Sequence, residues 1–442
     1  MTGMARTRTP SRSNHELVFR SARKGEEGTL ATVAYRAFQA GDPEAWLRYF
    51  TEHAHLALDN VIVAETDGQL VGYVASLDLT MSFAGADVPF QGLSSVAVLP
   101  EFRRRGIADR LVRESLRRMR RRGEALTLLH PFRLSFYRRF GFGVCELRDV
   151  VRTSPDRLPD SVLRRHVRAF SRPRDEPLIK QAYDVARAET TGQLKRSDYW
   201  WDVRVFKRSP SGAVYVDPGS KAIAGYLFFD VPEGGAYGAQ QLLVRELHAP
   251  TPGAYRGLIG FLGALGDQYE VVELTLPRGQ GAPLLDEPGI RDEPIVYETA
   301  ARHPGLCPPA HTAQRRSVLG LTAAGAMGRI VDVAAALALH PSPRKHGVRG
   351  AIGVDVEDPV FTDAPRAFDV TFAARGVQTA PGSTAGDRLS LSIERLTQIY
   401  FGASSARDLL SQGFVVGSAK AAALLDAAFA GPPLFLGAFN AF

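Results

Sequence analysis

An apolar strand that breaks into an arginine-rich, glycine-containing turn at the start of a helix constrains this chain more than any other feature. Leu93-Ser94-Ser95-Val96-Ala97-Val98 leads through Leu99-Pro100-Glu101-Phe102 into Arg103-Arg104-Arg105-Gly106-Ile107-Ala108. The turn fits R-x-x-G-x-A, with Arg103, Gly106 and Ala108 at the fixed positions. Small residues let a backbone approach a pyrophosphate, the first-turn amides of a helix have no intrahelical acceptor, and the helix dipole adds partial positive charge. The pattern predicts a site for a phosphorylated cofactor and points to coenzyme A.

The residues after the turn support that assignment. Ile107, Leu111, Val112, Leu116 and Met119 recur at helical spacing, so one face is core and the arginines occupy the others. Gly123 closes the helix, and Ala125-Leu126-Thr127-Leu128-Leu129-His130 reads as the next buried strand. Pro131 then precedes Ser135-Phe136-Tyr137-Arg138-Arg139-Phe140-Gly141-Phe142. This order of strand, turn, helix and Y-x-x-x-G-F resembles the GCN5-related N-acetyltransferase (GNAT) superfamily over residues 15 to 150. Across the whole chain, V-A-V-x-P-x-x-R-R-R-G, F-Y-x-R-F-G-F and the ending Ala438-Phe439-Asn440-Ala441-Phe442 resemble the Eis family of bacterial acetyltransferases. The resemblance implies an α+β protein: two acyl-CoA N-acyltransferase (GNAT) folds, the second without a cofactor site, then a sterol-carrier-protein-like domain. It also implies a homo-hexamer.

The length of 442 residues accommodates two or three domains. No apolar run approaches the roughly 18 residues needed to span a membrane, and Arg6, Arg8 and Arg12 are not followed by an apolar segment. Residues 1 to 14 are expected to be a disordered tail and the protein to be cytoplasmic. Cys145 and Cys307 lie far apart without ligand spacing, which suits buried thiols and no metal site. A net charge of +7 raises the question of nucleic acid. Ten arginines fall within residues 103 to 122 without interleaved aromatics, and a phosphate-bearing coenzyme accounts for them, so no specific nucleic-acid partner is expected.

Along the chain, a strand at Leu17-Val18-Phe19-Arg20 precedes helices from about 25 to 40 and after Asp42-Pro43, where aspartate caps and proline takes the first helical position. Residues 61–65 and 70–77 alternate around Asp67-Gly68 as a hairpin. A weak repeat comes next: Lys221-Ala222-Ile223-Ala224-Gly225-Tyr226-Leu227 resembles Gln69-Leu70-Val71-Gly72-Tyr73-Val74, and Leu247 then stands where Val96 stands in the first copy. Thr251-Pro252-Gly253-Ala254 replaces the R-x-x-G-x-A turn, so residues 151 to 312 read as a second fold without the cofactor turn. Pro304 and Pro308-Pro309 mark a linker, and residues 313 to 442 form the last α+β domain.

Acyl transfer from a thioester to an amine needs a neutral nitrogen, donors for the carbonyl oxygen and a proton for the departing thiolate. The backbone around Val96 and Val98 would bind the pantetheine and carbonyl end of acetyl-CoA, and Arg103, Arg104, Arg105, Gly106 and Ala108 its pyrophosphate. Tyr137 is the candidate acid, since a phenol is protonated at working pH. No histidine or glutamate of the first domain stands out as the base; Glu101 reads as a loop residue and His130 as a strand end. The terminus from Leu434 to Phe442 is too apolar for a free tail and is expected to be docked. The Eis resemblance implies that the carboxylate of Phe442 is the base. It further implies acetyl transfer to amines of a small molecule or of lysine, with polyamine-bearing molecules, aminoglycosides among them, held by an acidic pocket. One acid of that pocket is Ala441 here, a departure that weakens the case for a strongly cationic acceptor, although Asp42 and Glu44 could still supply negative charge. Two other readings are a lipid or sterol carrier with vestigial acetyltransferase folds and an aminoacyl- or fatty-acyl-transferase.

Overall fold

A computed structural model describes residues 16–207, 211–232, 240–281 and 321–442. The expected N-terminal tail, the proline-marked linker and Cys307 lie outside the described residues. By contacts the chain divides into two compact units, Met1–Asp78 with Leu93–Arg122, and Leu79–Gly92 with Gly123–Phe442.

The first unit contains β1 (Val18–Ser21), α1 (Glu27–Phe38), α2 (Pro43–Glu52), β2 (Val61–Thr66), most of β3 (Gln69–Phe83), the end of β4 (Ala86–Val98) and α3 (Ile107–Arg121). β2 pairs antiparallel with β1 and β3. Asp67 and Gly68 both take positive φ, 51° and 74°, the geometry of a tight hairpin that matches strand twist. Asp42 caps α2 as its sequence predicts, its carboxylate accepting the Ala45 amide at 2.6 Å. Leu30, Val33 and Ala34 of α1 share a core with Phe50, Tyr73, Ala75 and Ala97. α3 buries the predicted face of Ile107, Leu111, Val112, Leu116 and Met119. Each such side chain contributes about 1.5–3 kcal/mol, enough to hold a helix whose other faces are charged.

In the second unit the start of β4 runs parallel to β5 (Leu126–Leu129), with Gln91 opposite Thr127 and Gly92 opposite Leu128. The strand Met327–Ile330 pairs with β5 and with Gly143–Val144. α4 spans Leu134–Arg138. Among the described residues a second sheet has seven strands in the order Leu321–Ala324, Leu147–Thr153, Tyr269–Pro277, Gln240–His248, Ile223–Asp230, Gly212–Val216 and Val167–Ala169. Its parallel pair, Gln240–His248 with Tyr269–Pro277, is joined by the helix Pro252–Gly263, which repeats the strand, helix and strand of the first copy. Among the described residues the last sheet has five strands and carries helices including Ile393–Tyr400 and Ala419–Ala428.

Residues 321–330, which the proline-marked linker assigns to the last domain, instead give one strand to each of the two earlier sheets. Four-residue strands carry too little periodicity to reveal their partners. The apolar interior of the last domain is closed by rings: Phe83 stacks on Tyr400 at 5.5 Å and meets His340 edge-on at 4.7 Å. The small cavity beside them is lined also by Ser342, Phe401, Phe429 and Pro432. Among the described residues no helix is long and apolar enough to cross a membrane, and no group of side chains is arranged to hold a metal.

Candidate active site

β4 alternates, with Ser95, Ala97 and Leu99 facing inward and Ser94, Val96 and Val98 half-buried on the other face. Its end delivers the basic turn to the N-terminus of α3. Gly106 caps that helix at φ 77° with no side chain to occupy the first-turn amides. A Cβ there would meet nothing within 4 Å, so glycine is required by backbone conformation and the space above it stays open. Arg104 also has positive φ, 61°, which turns successive amides the same way. An anionic pyrophosphate fits this cradle in shape and charge.

The three arginines do not have equal parts. The Arg103 guanidinium donates to the carbonyls of Ala37 at 2.5 Å and Val98 at 3.3 Å, and so ties the turn to α1 and β4. Arg105 donates to the Glu101 carbonyl at 3.0 Å and lies over the Phe102 ring. Arg36 pairs with Glu101 at 2.8 Å. Asp42 is taken by the cap of α2, and Glu44 is exposed and paired with Arg48.

Tyr137 lies on α4 among Phe132, Phe136 and Phe142, with ring centroids 5.0 to 5.9 Å away. Burial among these rings pushes its phenol up to about 12, so it stays protonated across the physiological range. Phe132, 71% exposed, forms the outer lip of this cluster.

The chain end is docked. Thr191 accepts from the Phe435 amide at 2.9 Å through its carbonyl, Gln193 donates to the Phe435 carbonyl at 2.8 Å, and Trp200 donates to the Phe439 carbonyl at 2.9 Å. Glu146, fully buried, accepts from the Leu436 amide through one oxygen and from the Ala326 amide and Arg148 through the other. The Phe442 ring then lies on β4: a Cβ on Gly92 would come within 2.8 Å of it. It meets Phe90 at 5.7 Å and His130 edge-on at 5.3 Å. Burial pulls His130 down to about 4, leaving it neutral, and its Nε2 is buried without a hydrogen-bond partner. His130-Pro131-Phe132 thus touches Phe442 at one end and Tyr137 at the other.

Local sequence patterns rank His130 only as a strand end and give no sign of Gly92 or Glu146. Each acts through partners distant in sequence, and no short-range spacing announces them. In the second copy Thr251 fills the place of the cradle, its hydroxyl accepting the Ala254 amide at 3.2 Å beside Pro252, which has no amide hydrogen.

Comparison with known proteins agrees with this architecture. Residues 18–145 and 192–298 each match a model of a GNAT acetyltransferase domain, and residues 333–437 match a sterol carrier protein domain. No curated protein matches the chain significantly. Solved structures share the fold at low identity. Eis1 from Mycobacterium abscessus is 22% identical, with 97% of this chain and 100% of that one covered and a TM-score of 0.69. A GCN5-related N-acetyltransferase from Anabaena variabilis is 19% identical, covering 96% and 100%, with a TM-score of 0.72. A probable N-acyltransferase from Enterococcus faecalis is 20% identical, covering 96% and 98%, with a TM-score of 0.74.

Proposed function

This chain is a GNAT-type N-acetyltransferase with two such domains ahead of a sterol carrier domain, and we propose that its first domain acetylates amines of a small molecule with Tyr137 as acid and the Phe442 carboxylate as base. The observation that carries the reading is the cradle at Gly106, where an uncapped helix start, positive backbone angles and open space coincide. Acetyl-CoA supplies the activated acetyl group. The cradle would hold its pyrophosphate, and the amides around Val96 and Val98 its pantetheine and carbonyl oxygen. Phe442 takes a proton from the acceptor ammonium or from the nitrogen as it attacks. The new N–C bond forms as the C–S bond breaks, and Tyr137 gives its proton to the leaving thiolate.

His130, kept neutral by burial, itself adds no positive charge beside the Phe442 ring. A carboxylate with an ordinary value near 3.5 is a weak base, and an apolar setting raises it. We take the acceptor to be an Eis-like one, a polyamine or aminoglycoside modified at one or several amines, in a homo-hexamer. Ala441 lowers the negative charge available to it. Free-thiol release from acetyl-CoA by untagged protein, run against aminoglycosides, polyamines, lysine peptides and arylamines, tests the reading. Release with polycations supports the Eis-like acceptor, release with other amines alone redirects the acceptor, and silence throughout overturns the function.

A further inference from the structure

The repeat is legible at single atoms. A Cβ on Gly72 would strike the Ala97 carbonyl at 2.7 Å and approach Leu111; a Cβ on Gly225 would strike the His248 carbonyl at 2.9 Å and approach Leu258. Ala97 therefore corresponds to His248, and Ser95 to Glu246. The tyrosines after the two glycines agree: Tyr73 meets the Ser95 hydroxyl at 3.4 Å, and Tyr226 donates to Glu246 at 2.6 Å. The strand that would carry pantetheine in the first copy thus carries a half-buried carboxylate in the second. Its parallel ladder with Tyr269–Pro277 ends at Val244 opposite Leu274, so Glu246 lies beyond it.

That carboxylate holds the tail. Arg196 pairs with Glu246 through both terminal nitrogens, and its side chain is fully buried. The guanidinium lies over the rings of Tyr183 at 4.0 Å and Trp201 at 4.6 Å. Burial alone would raise Glu246, but Arg196 outweighs it and keeps the carboxylate ionised. The remaining Nε of Arg196 donates to the Asn440 side-chain oxygen at 2.8 Å. Since arginine only donates, this fixes which end of the amide faces it. The Asn440 nitrogen then donates to Gln193 at 2.8 Å and to the Leu436 carbonyl at 2.7 Å. Asn440 is 0% exposed. Two residues span at most about 7 Å, so fixing Asn440 confines Phe442.

We infer that the second acetyltransferase fold is a clamp for the chain's C-terminal tail, in which Arg196, held by Glu246, whose carboxylate Tyr226 braces, is a positioning residue that sets Phe442 through Asn440. The inference deepens the proposed function and rests on the Phe442 carboxylate acting as base. Asn440→Ala and Arg196→Lys are compared with wild type and with protein lacking Phe442, in turnover and in release of the C-terminal residues by carboxypeptidase. For Asn440→Ala we expect kcat to fall about 10- to 100-fold, the order of a 1 Å misplacement, with KM for acetyl-CoA changed less than twofold. Carboxypeptidase release should quicken at least about tenfold, on the scale of one lost buried hydrogen bond. Arg196→Lys, which keeps the charge and loses the fork, should fall between, and it serves if Asn440→Ala does not fold. Removing Phe442 from Asn440→Ala should cost nothing beyond removing Phe442 alone. Wild-type kcat with wild-type protection overturns the clamp, as do fully additive losses. If protein without Phe442 keeps full turnover, the base assignment fails, and carboxypeptidase release still decides the clamp.

Discussion

The ring of Phe442 crosses the imidazole of His130 edge-on at 5.3 Å, and the same ring covers Gly92 so closely that no side chain fits between. The end of the chain is therefore seated on β4 at Gly92. Substitutions at this seat and at the basic turn should separate binding from chemistry.

Gly92→Ala should displace the Phe442 ring, because its new methyl would come within 2.8 Å of that ring and 2.7 Å of Leu79. Overpacking of this kind costs about 1–3 kcal/mol. Turnover should fall at least about tenfold, in line with the sensitivity of catalysis to small misplacements, while acetyl-CoA still binds by calorimetry. Wild-type turnover would mean that the seat is not used.

Gly106→Ala separates the two roles of that glycine. Its φ of 77° makes any side chain unfavourable by about 1–2 kcal/mol, readable as a lower melting temperature. Nothing in the protein is struck by the new Cβ. A rise of about tenfold or more in KM for acetyl-CoA, the size of one lost charge-assisted contact, would then report the cofactor's approach. An unchanged KM would place the pyrophosphate elsewhere.

Tyr137→Phe should reduce kcat by about 100-fold or more with little change in coenzyme binding. Because burial pushes the phenol up to about 12, the wild-type rate should show no falling alkaline limb between pH 8 and about 10 that the variant lacks. A limb of that kind would assign the proton to a group nearer its ordinary range.

Stability should fall on the acid side through the buried imidazoles. His130 is drawn from 6.5 to about 4 in the folded protein, so between those values the unfolded chain binds more protons. The folded state keeps its full margin above pH 6.5 and loses it as pH falls towards 4, by about 3 kcal/mol at 1.36 kcal/mol per unit. His340, drawn down to about 3, acts in the same direction. Melting temperatures between pH 7 and 4 should decline less steeply in His130→Gln; identical slopes would remove His130 from the acid response.

The architecture is readable where periodicity is long. The α3 face, the Asp42 cap, the Asp67-Gly68 hairpin and the tandem copies all stand in the structure as their spacing predicts. The repeat shows itself through Gly225 and Leu247, and the glycine contacts explain why a glycine stands at Gly72 and Gly225: the helix and neighbouring strand leave no room for a side chain. What the sequence conceals is polar and non-local. Arg196 and Glu246 sit 50 residues apart, and Arg196 and Asn440 244 apart. Arg103 has the right position in its motif, but only the fold reveals that its guanidinium is spent on Ala37 and Val98.

Glu146 has a bearing on how such a chain comes off the ribosome. Beyond its local pair with Arg148, its buried carboxylate is satisfied by amides 180 and 290 residues further along. Until that last stretch is synthesised, an ionisable group meant for the interior must stay hydrated and hold its surroundings open. Closure is thus a late, long-range event, of the sort that slows folding and leaves incomplete chains prone to aggregate. A nascent chain halted before Leu436 should be sensitive to proteolysis around Glu146, and release of the finished chain should abolish that sensitivity.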